Sequence, residues 1–273
     1  MIHLSRRALL AVPPSRRVAE PAMVDSRMAE ETVRRAAHNN AIWCDAVCAT
    51  HLGPGEFHAS HWLNRHGVPQ FYPDFVTLSG SADGARQTEA LAGLIEAAGA
   101  RSLFVKDSFD CLRLQPFGFH PLFRAEWLSA PALGSVGRQE AAGVRWLEVV
   151  DDRDLTRWER AWSGSADEAK PRMFRPGLLA VPGIRFVYGL VHSLPVGGGI
   201  LAASSGVTGL SNVFARGIAT EVVLQGLAQV AAASFPGQPL TDYEHGDDLV
   251  AAHRVGFQTV GRLRVWHRPA PGR

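Results

Sequence analysis

A turn between a predicted strand and a predicted helix holds the residues of this chain that best suit binding of an anion. Residues 207–212 are predicted as the strand, and the alanine-rich segment from about Ile218 to Ser234 has helical spacing. Arg216 and Gly217 lie in the turn between them. The first N–H groups of a helix have no partner inside the helix, so they suit a phosphate group. We therefore expect these amides, with the Arg216 guanidinium beside them, to hold a phosphate group.

The next predicted strand, at 239–243, ends in side chains that can exchange protons. Asp242, Tyr243 and Glu244 follow one another there, and His245 comes next. Successive side chains of a strand point to opposite faces, so Asp242 and Glu244 share one face and Tyr243 lies on the other. We expect that the three cannot all point into one cleft. Each also has a plainer interpretation as a solvated loop residue or a helix cap.

The other predicted elements alternate between strands and helices. In the N-terminal half they are a helix capped by Asn39 or Asn40 and running to about Ala49, strands at 75–79, 102–106 and 120–128, and a helix that ends at Gly99. In the C-terminal half they are a strand at 145–150, a helix capped by Asp151 or Asp152, a hairpin of 184–191 with 196–204, a short helix at 247–254 and a last strand at 258–267.

Short matches between the two halves predict an internal duplication. Leu78-Ser79-Gly80 corresponds to 210–212, Gly118-Phe119 corresponds to Gly256-Phe257, and Trp127 corresponds to Trp266. Their common order favours a duplication over chance. We accordingly divide the chain into a tail at 1–35, disordered or upstream of the true start, an N-terminal half at 36–128, a linker at 129–142 and a C-terminal domain at 143–273.

The segment 145–268 resembles the acetyl-CoA-binding part of the GNAT superfamily of N-acetyltransferases, and 75–128 resembles it more faintly. The family's signature at the helix start is Gln/Arg-x-x-Gly-x-Gly/Ala. Gly217 and Ala219 match it, whereas Phe214 replaces the leading Gln/Arg. The resemblance implies an α+β fold, with a mixed, mostly antiparallel sheet flanked by helices and built from two pseudo-repeated halves. It also implies acetyl-CoA as the acyl donor, held by Leu210, Ser211, Asn212, Val213, Arg216, Gly217, Ile218, Ala219 and Thr220.

The same resemblance implies direct transfer of the acetyl group to an amine of a small molecule or peptide. A base must remove the proton of the amine, and Asp242, Glu244 and His245 are the candidates. The Val213 N–H is expected to stabilise the charge on the thioester oxygen. The family's usual proton donor to the CoA thiolate is a Tyr at the position of Ala252, so Tyr243 is the candidate substitute. The alternative is a non-catalytic acyl-CoA-binding or interaction module, which the missing Tyr favours.

Composition excludes several other classes of function. A formal net charge of +2 over 273 residues gives no reason to expect a nucleic-acid partner. An odd number of cysteines, three, argues against a disulfide framework, and no apolar run is long enough for a membrane span. We expect a cytoplasmic protein; the sequence does not indicate its oligomeric state.

Two further patterns were weighed. Cys44, Cys48 and His51 share one helical face and could ligate zinc, but no second pair of ligands follows at a defined spacing, so we expect no metal and buried cysteines instead. The glycines at 197–199 lie in a predicted strand without the Lys of a phosphate-binding loop, and they predict a β-bulge or a close approach of a ligand.

Overall fold

The computed structural model of the chain describes residues 26–132, 143–164 and 171–270. Eleven strands form one sheet in the order β1-β2-β3-β4-β11-β5-β10-β9-β8-β7-β6. The strands are β1 (Glu56–Phe57), β2 (His61–Leu63), β3 (Phe75–Thr77), β4 (Leu103–Asp107), β5 (His120–Ala130), β6 (Arg145–Glu148), β7 (Ile184–Val191), β8 (Leu194–Ser204), β9 (Val207–Ala215), β10 (Leu240–Glu244) and β11 (Gln258–Arg268).

Five helices cover the two faces of this sheet. They are α1 (Ser26–Ala49), α2 (Gly84–Ala98), α3 (Asp152–Ser163), α4 (Thr220–Ser234) and α5 (Gly246–Arg254). Helices α1 and α3 pack on one face, where Trp43 and Trp158 join a buried aromatic cluster with Phe186. Helix α2 packs on the other face through Leu91 and its neighbours, and α4 and α5 lie on that same face beside it. The predicted α+β layering is therefore confirmed.

The middle of the sheet joins the two halves of the chain by exchanging strands. Strand β5, from the first half, lies between β10 and β11 of the second half and is antiparallel to both. Strand β11 in turn pairs with β4 of the first half. The adjacent strands β11 and β5 are flanked on one side by the parallel strands β3 and β4, and on the other side by the parallel strands β9 and β10. The proposed duplication and domain division remain predictions, but the two halves share one sheet.

The N-terminal helix begins well before its predicted cap. The sequence placed the start at Asn39 or Asn40 and assigned residues up to 35 to a tail, whereas α1 begins at Ser26. Residues 26–38 carry acidic and basic side chains four apart, such as Glu30 with Arg34 at 3.1 Å, which stabilise a helix. Val33 is buried against β5 and β11, so this part of α1 belongs to the fold. The rest of the predicted tail and most of the predicted linker lie outside the described residues.

Local signals in the sequence explain where the other helices begin and end. The Asp151 side chain accepts a hydrogen bond from the Asp154 amide at 2.8 Å, which caps α3 as predicted. Gly99 has a positive φ of 58° at the end of α2, a conformation that glycine adopts without strain. None of the helices in the described parts of the chain is both long enough and apolar enough to cross a membrane.

Candidate functional site

Strands β9 and β10 part soon after they meet. They are parallel neighbours, and they pair only at Leu240 with Thr208 and at Thr241 with Gly209. Beyond these pairs, 210–215 and 242–244 diverge, and a narrow pocket opens between them. The residues that line this pocket come from both strands, from β5 and from the residue that follows β10: Leu210, Ser211, Asn212, Asp242, Tyr243, Glu244, His245 and Phe123. We call this pocket the strand gap. It brings together the three predicted catalytic residues and three of the predicted cofactor residues.

A β-bulge bends β9 away from β10 at the gap. Between Gly198 and Ile200 on β8 lies one residue, whereas two lie between their partners Phe214 and Ser211 on β9. Asn212 is one of the extra residues and has a φ of 56°, a left-handed conformation that Asn tolerates better than most side chains. An extra residue in one strand disrupts the ladder and bends that strand. The bulge predicted from the triple glycine is confirmed, on the strand facing it.

The glycines of β8 allow other groups to pack closely against this bulge. A Cβ on Gly198 would lie 2.9 Å from the Phe214 ring, and one on Gly199 would lie 2.7 Å from Leu227 of α4. A Cβ on Gly198 would also lie 2.4 Å from the Val187 carbonyl oxygen, so that position requires glycine, whereas at Gly199 the end of the Leu227 side chain would have to move. The glycines therefore fix the position of α4 against the bulged strand, and with it the turn that joins the strand to the helix.

The turn before α4 presents backbone amides that have no hydrogen-bond partner in the part of the chain that the structure describes. The Arg216 amide donates to the Val196 carbonyl at 2.7 Å. Among the described residues, the next three amides, of Gly217, Ile218 and Ala219, donate no hydrogen bond. Gly217 is exposed with a φ of 73°, and a Cβ there would have no atom within 4 Å. We call these three amides and the first turn of α4 the amide cradle. It is open, and its geometry suits an anion.

Two charged side chains near this turn do not have the arrangement expected for a phosphate site, which is a cation that points toward the amides with no anion nearby. Arg216 turns toward α3, where its Nε donates to the Ala161 carbonyl, and it lines a wide cleft of about 770 Å³ there. Glu221 lies in the first turn of α4, and its pKa is lowered by a hydrogen bond from its own amide and by one from Arg254 at 3.0 Å. The charge of the cradle thus comes from its amides and the helix end.

Two buried polar atoms in the strand gap lack a hydrogen-bond partner within the described chain. They are Nδ2 of Asn212, a donor, and Oδ2 of Asp242, an acceptor. Asn212 is 3% exposed and Asp242 is 6% exposed. The second polar atom of each side chain is paired. Ser211 Oγ donates to Asn212 Oδ1 at 3.1 Å, and the Tyr243 amide donates to Asp242 Oδ1 at 2.8 Å. Buried polar atoms are nearly always paired, so an unpaired donor and acceptor facing one pocket indicate a ligand.

The carboxyl groups of the gap are held in an environment that disfavours their charge. Burial raises the pKa of Asp242 from 3.8 to about 8. Burial, and then the nearby charges of Asp242 and Asp248, also raise the pKa of Glu244 well above its usual value. A carboxylate whose pKa is near neutrality is a stronger base than a solvated one. At neutral pH Asp242 is mostly protonated, and its ionised fraction is the form that can accept a proton.

Tyr243 leaves β10 on the face opposite to the two carboxyl groups, as strand alternation predicts. Its ring meets Trp127 edge-on, with 5.3 Å between centroids. Its hydroxyl accepts a hydrogen bond of 3.0 Å from Nζ of Lys106. All three of Asp242, Tyr243 and Glu244 contribute to the lining of the strand gap. Their side chains alternate as expected, and their catalytic roles stay predictions.

The remaining sequence patterns belong to the core of the protein. Ala252, at the position of the family's usual proton donor, is fully buried between α5 and α4. Cys44 and Cys48 are buried among the aromatic residues under α1, and burial raises the pKa of both thiols. No group of three or more metal-ligating side chains occurs in residues 26–132, 143–164 and 171–270.

Comparisons with known proteins agree with this geometry. No family model matches the chain, and no curated protein matches it either. Solved structures do. A GCN5-related N-acetyltransferase from Kribbella flavida superposes with a TM-score of 0.59, at 16% identity, over 89% of this chain and 96% of its own. A putative GNAT acetyltransferase from Novosphingobium aromaticivorans gives 0.53 at 12% identity, over 86% and 99%. The chain has the GNAT fold. A functionally unknown protein from Staphylococcus epidermidis also shares it, with a TM-score of 0.51 at 11% identity, over 79% and 93%.

The sequence analysis did not single out Lys106, which contacts Tyr243. Lysine occurs only at 106 and 170 in a chain that otherwise uses arginine. Lys106 follows the apolar residues Leu103–Val105 in strand β4 and is 1% exposed. A buried charged residue in an apolar strand is the signal that would have found it. Asn40, predicted as a helix cap, instead lies in the middle of α1 and accepts a hydrogen bond from Lys106 at 2.7 Å.

Proposed function

We propose that the chain is an acetyl-CoA-dependent N-acetyltransferase. The observation that carries this proposal is the strand gap, where Asn212 Nδ2 and Asp242 Oδ2 are buried and unpartnered between two strands that part after two pairs. The pantetheine arm of CoA contains amide groups, each with a donor and an acceptor. One such amide in the gap would satisfy both atoms, and the arm would lie along β9 as an added strand does.

The amide cradle completes a site of the right shape for the cofactor. The N–H groups of Gly217, Ile218 and Ala219 would receive the diphosphate, next to the end of the gap on β9. The strand gap lies between these amides and the carboxyl groups of β10. A thioester held this way would place its acetyl group near Asp242, Tyr243 and Glu244.

Transfer then needs two proton movements, and the gap has a residue for each. In its ionised form, whose fraction grows as the pH rises toward 8, Asp242 takes a proton from the attacking amine, because a raised pKa makes the carboxylate a stronger base. The nitrogen bonds to the acetyl carbon, the carbon–sulfur bond breaks, and its electron pair goes to sulfur. Tyr243 is our candidate to supply the proton to the thiolate, and its hydroxyl is protonated at neutral pH because burial raises its pKa above the usual value.

Calorimetry with acetyl-CoA tests the cofactor site through a matched pair of glycine variants. Gly217→Val places a side chain over the cradle and should weaken binding at least about tenfold, because the diphosphate can no longer reach the amides. Gly237→Val is the control: its φ of 79° is similar, and its surroundings are equally open, but it follows the far end of α4. Wild-type protein that does not bind acetyl-CoA, or equal losses in both variants, would refute the site.

A non-catalytic acyl-CoA-binding module is the alternative, and the buried Ala252 favours it. Both readings predict binding of acetyl-CoA. Release of CoA thiol in the presence of a panel of primary amines separates them. The transferase releases thiol faster with at least one amine than with none, whereas a binding module releases none above the rate without protein.

A further inference from the structure

We propose that a cleft lined by four arginines, beside the amide cradle, binds the 3′-phosphate of CoA and so makes the protein prefer acetyl-CoA to acetyl-dephospho-CoA. This inference rests on the proposed function. Three of the arginines lie on α3 and the fourth, Arg216, directly follows β9. The family's signature lies in the turn before α4 and specifies no residue on α3, so the resemblance assigns these three arginines no role.

The cleft, which we call the arginine cleft, has a volume of about 770 Å³ and is open to solvent. Its described lining consists of Arg153, Thr156, Arg157, Arg160, Ala161, Gly164, Pro195 and Arg216. The residues from 153 to 164 follow the spacing i, i+3, i+4, i+7, i+8 and i+11, which places them on one face of α3. Leu155 and Trp158, on the other face, are buried in the core. Helix α3 therefore presents its arginines to the cleft.

The charged side chains that line the cleft are all positive in the described part of the chain. Four of the lining residues are arginines, and none is acidic. The acidic side chains of α3 have partners elsewhere: Asp152 pairs with Arg172, Asp154 hydrogen-bonds with Tyr188, and Glu159 accepts from the Met173 amide. The sequence thus separates the two signs of charge around this helix, and the positive side lines the cleft.

Three of the four arginines have no carboxylate partner within the described residues. Arg153 is exposed and makes no hydrogen bond or ion pair with them. Arg157 donates to the Ser193 carbonyl, and Arg216 donates to the Ala161 carbonyl. These bonds hold two guanidinium groups at the cleft without neutralising them, because a carbonyl has no net charge. Like charges that lie close together repel one another, so a bound anion would stabilise this arrangement.

A phosphate monoester is the anion that suits such a cleft. It carries a charge of about −1.5 to −2 at pH 7 and three strong acceptor oxygens. A carboxylate carries one charge and two oxygens. Each guanidinium group presents a fork of N–H donors that can pair with two phosphate oxygens at once. Several arginines can therefore share one phosphate monoester, whereas a single carboxylate would leave most of their charge uncompensated.

The order of the sites along the protein matches the order of the groups in CoA. CoA consists of the pantetheine arm, the diphosphate and a ribose that carries the 3′-phosphate. On the protein, the strand gap at 210–212 is followed by the amide cradle at 217–219. Arg216 connects the cradle to the cleft, because it precedes Gly217 and packs against Gly164, where a Cβ would lie 2.7 Å from its Nη2. The ribose phosphate follows the diphosphate as the cleft follows the cradle.

Calorimetry with acetyl-CoA and acetyl-3′-dephospho-CoA at low salt tests this assignment. We expect the wild type to bind acetyl-CoA about 10- to 100-fold more tightly, because only this compound brings the phosphate that the arginines bind. In the double variant Arg153→Gln with Arg157→Gln, this ratio should fall at least about fivefold. The affinity for the dephospho compound should change less than about twofold, which also shows that the variant is folded.

Two control variants separate the cleft from general charge and from the cradle. Arg86→Gln with Arg113→Gln removes two exposed arginines that do not line the cleft, so the ratio of the two affinities should stay at its wild-type value. Gly217→Val should weaken both compounds by a similar factor, because both carry the diphosphate.

The outcomes distinguish a failure of the cleft from a failure of the proposed function. Equal affinity of the wild type for the two compounds overturns the inference and leaves the cofactor site in place. A preference for acetyl-CoA that survives in the cleft variant, or that falls equally in the Arg86 and Arg113 control, also overturns it. If the wild type binds neither compound, the proposed function is wrong, and the assignment of the cleft is wrong with it.

Discussion

The substitution Asp242→Asn should make the protein much less sensitive to alkaline pH. In the folded protein the pKa of Asp242 is raised from 3.8 to about 8 by burial. Between these two pH values the folded state binds more protons at this site than the unfolded state does. The free energy of unfolding therefore falls as the pH rises through this range, and it levels off above pH 8. Asparagine has the same shape and no charge, so the variant lacks this loss.

The size of the effect follows from the two pKa values. From pH 5 to pH 9, a pKa near 4 in the unfolded chain and about 8 in the folded protein removes about 4 kcal/mol of stability through Asp242. For a protein of this size that is a fall in melting temperature of roughly 8–15 °C. Removing the charge of Asp242 also relieves its repulsion of Glu244, which adds to the effect with the same sign.

Thermal unfolding of both proteins at pH 5 and pH 9 measures this directly. The quantity to compare is the melting temperature of the variant minus that of the wild type at each pH, because the titration of all unchanged groups then cancels. Asp247→Asn, on the exposed first turn of α5, controls for the loss of one negative charge. If the Asp242→Asn difference is the same at both pH values, Asp242 is solvated, and both the buried gap and its base are wrong.

Two further predictions concern the packing that holds the site. Gly226→Ala should destabilise the protein by about 1–3 kcal/mol in chemical denaturation, because a Cβ at Gly226 of α4 would overlap the indole of Trp146 on β6. Asn39→Ala should cost about 1–3 kcal/mol in the same assay, since the Asn39 amide of α1 donates to the Ala202 carbonyl at 2.7 Å and to Ser204 Oγ at 2.9 Å.

The chain offers a control for each of these. Gly93→Ala, on the exposed side of α2 with no atom within 4 Å of the new Cβ, should stabilise the protein by up to about 1 kcal/mol. A loss at Gly93 similar to that at Gly226 would show that the Trp146 contact is not the cause. Asn39→Asp keeps the size but removes the donor, so it should destabilise at least as much as Asn39→Ala. An Asp variant as stable as the wild type would contradict the hydrogen-bond argument.

Sequence reasoning succeeded where a local pattern determines the structure. Asp151 caps α3 because its side chain reaches an amide three residues away, and the triple glycine of β8 marks the bulge because side chains there would collide with neighbouring groups. Signals of this kind lie within a few residues, or within one pair of strands. The fold of the C-terminal segment and its open amide cradle could be predicted on that basis.

The sequence failed where distant segments meet. The contact of Lys106 with Tyr243 joins residues 137 positions apart, and nothing near either one in the sequence predicts it. Val33 is buried only because β5 and β11 lie beneath α1, so its helix was mistaken for a tail. The direction of Arg216 depends on the end of α3, which no pattern around the turn records.

The exchanged strands at the centre of the sheet also determine how this protein can fold. Strand β11 is the last described strand in the chain, yet it lies between β4 and β5. Until it arrives, β4 and β5 have exposed ladder edges where it will later bind, and these edges invite pairing with other molecules. The central pairing joins residues far apart in sequence, which makes folding slow. We therefore expect the nascent chain to depend on chaperones and a fragment lacking β11 to aggregate.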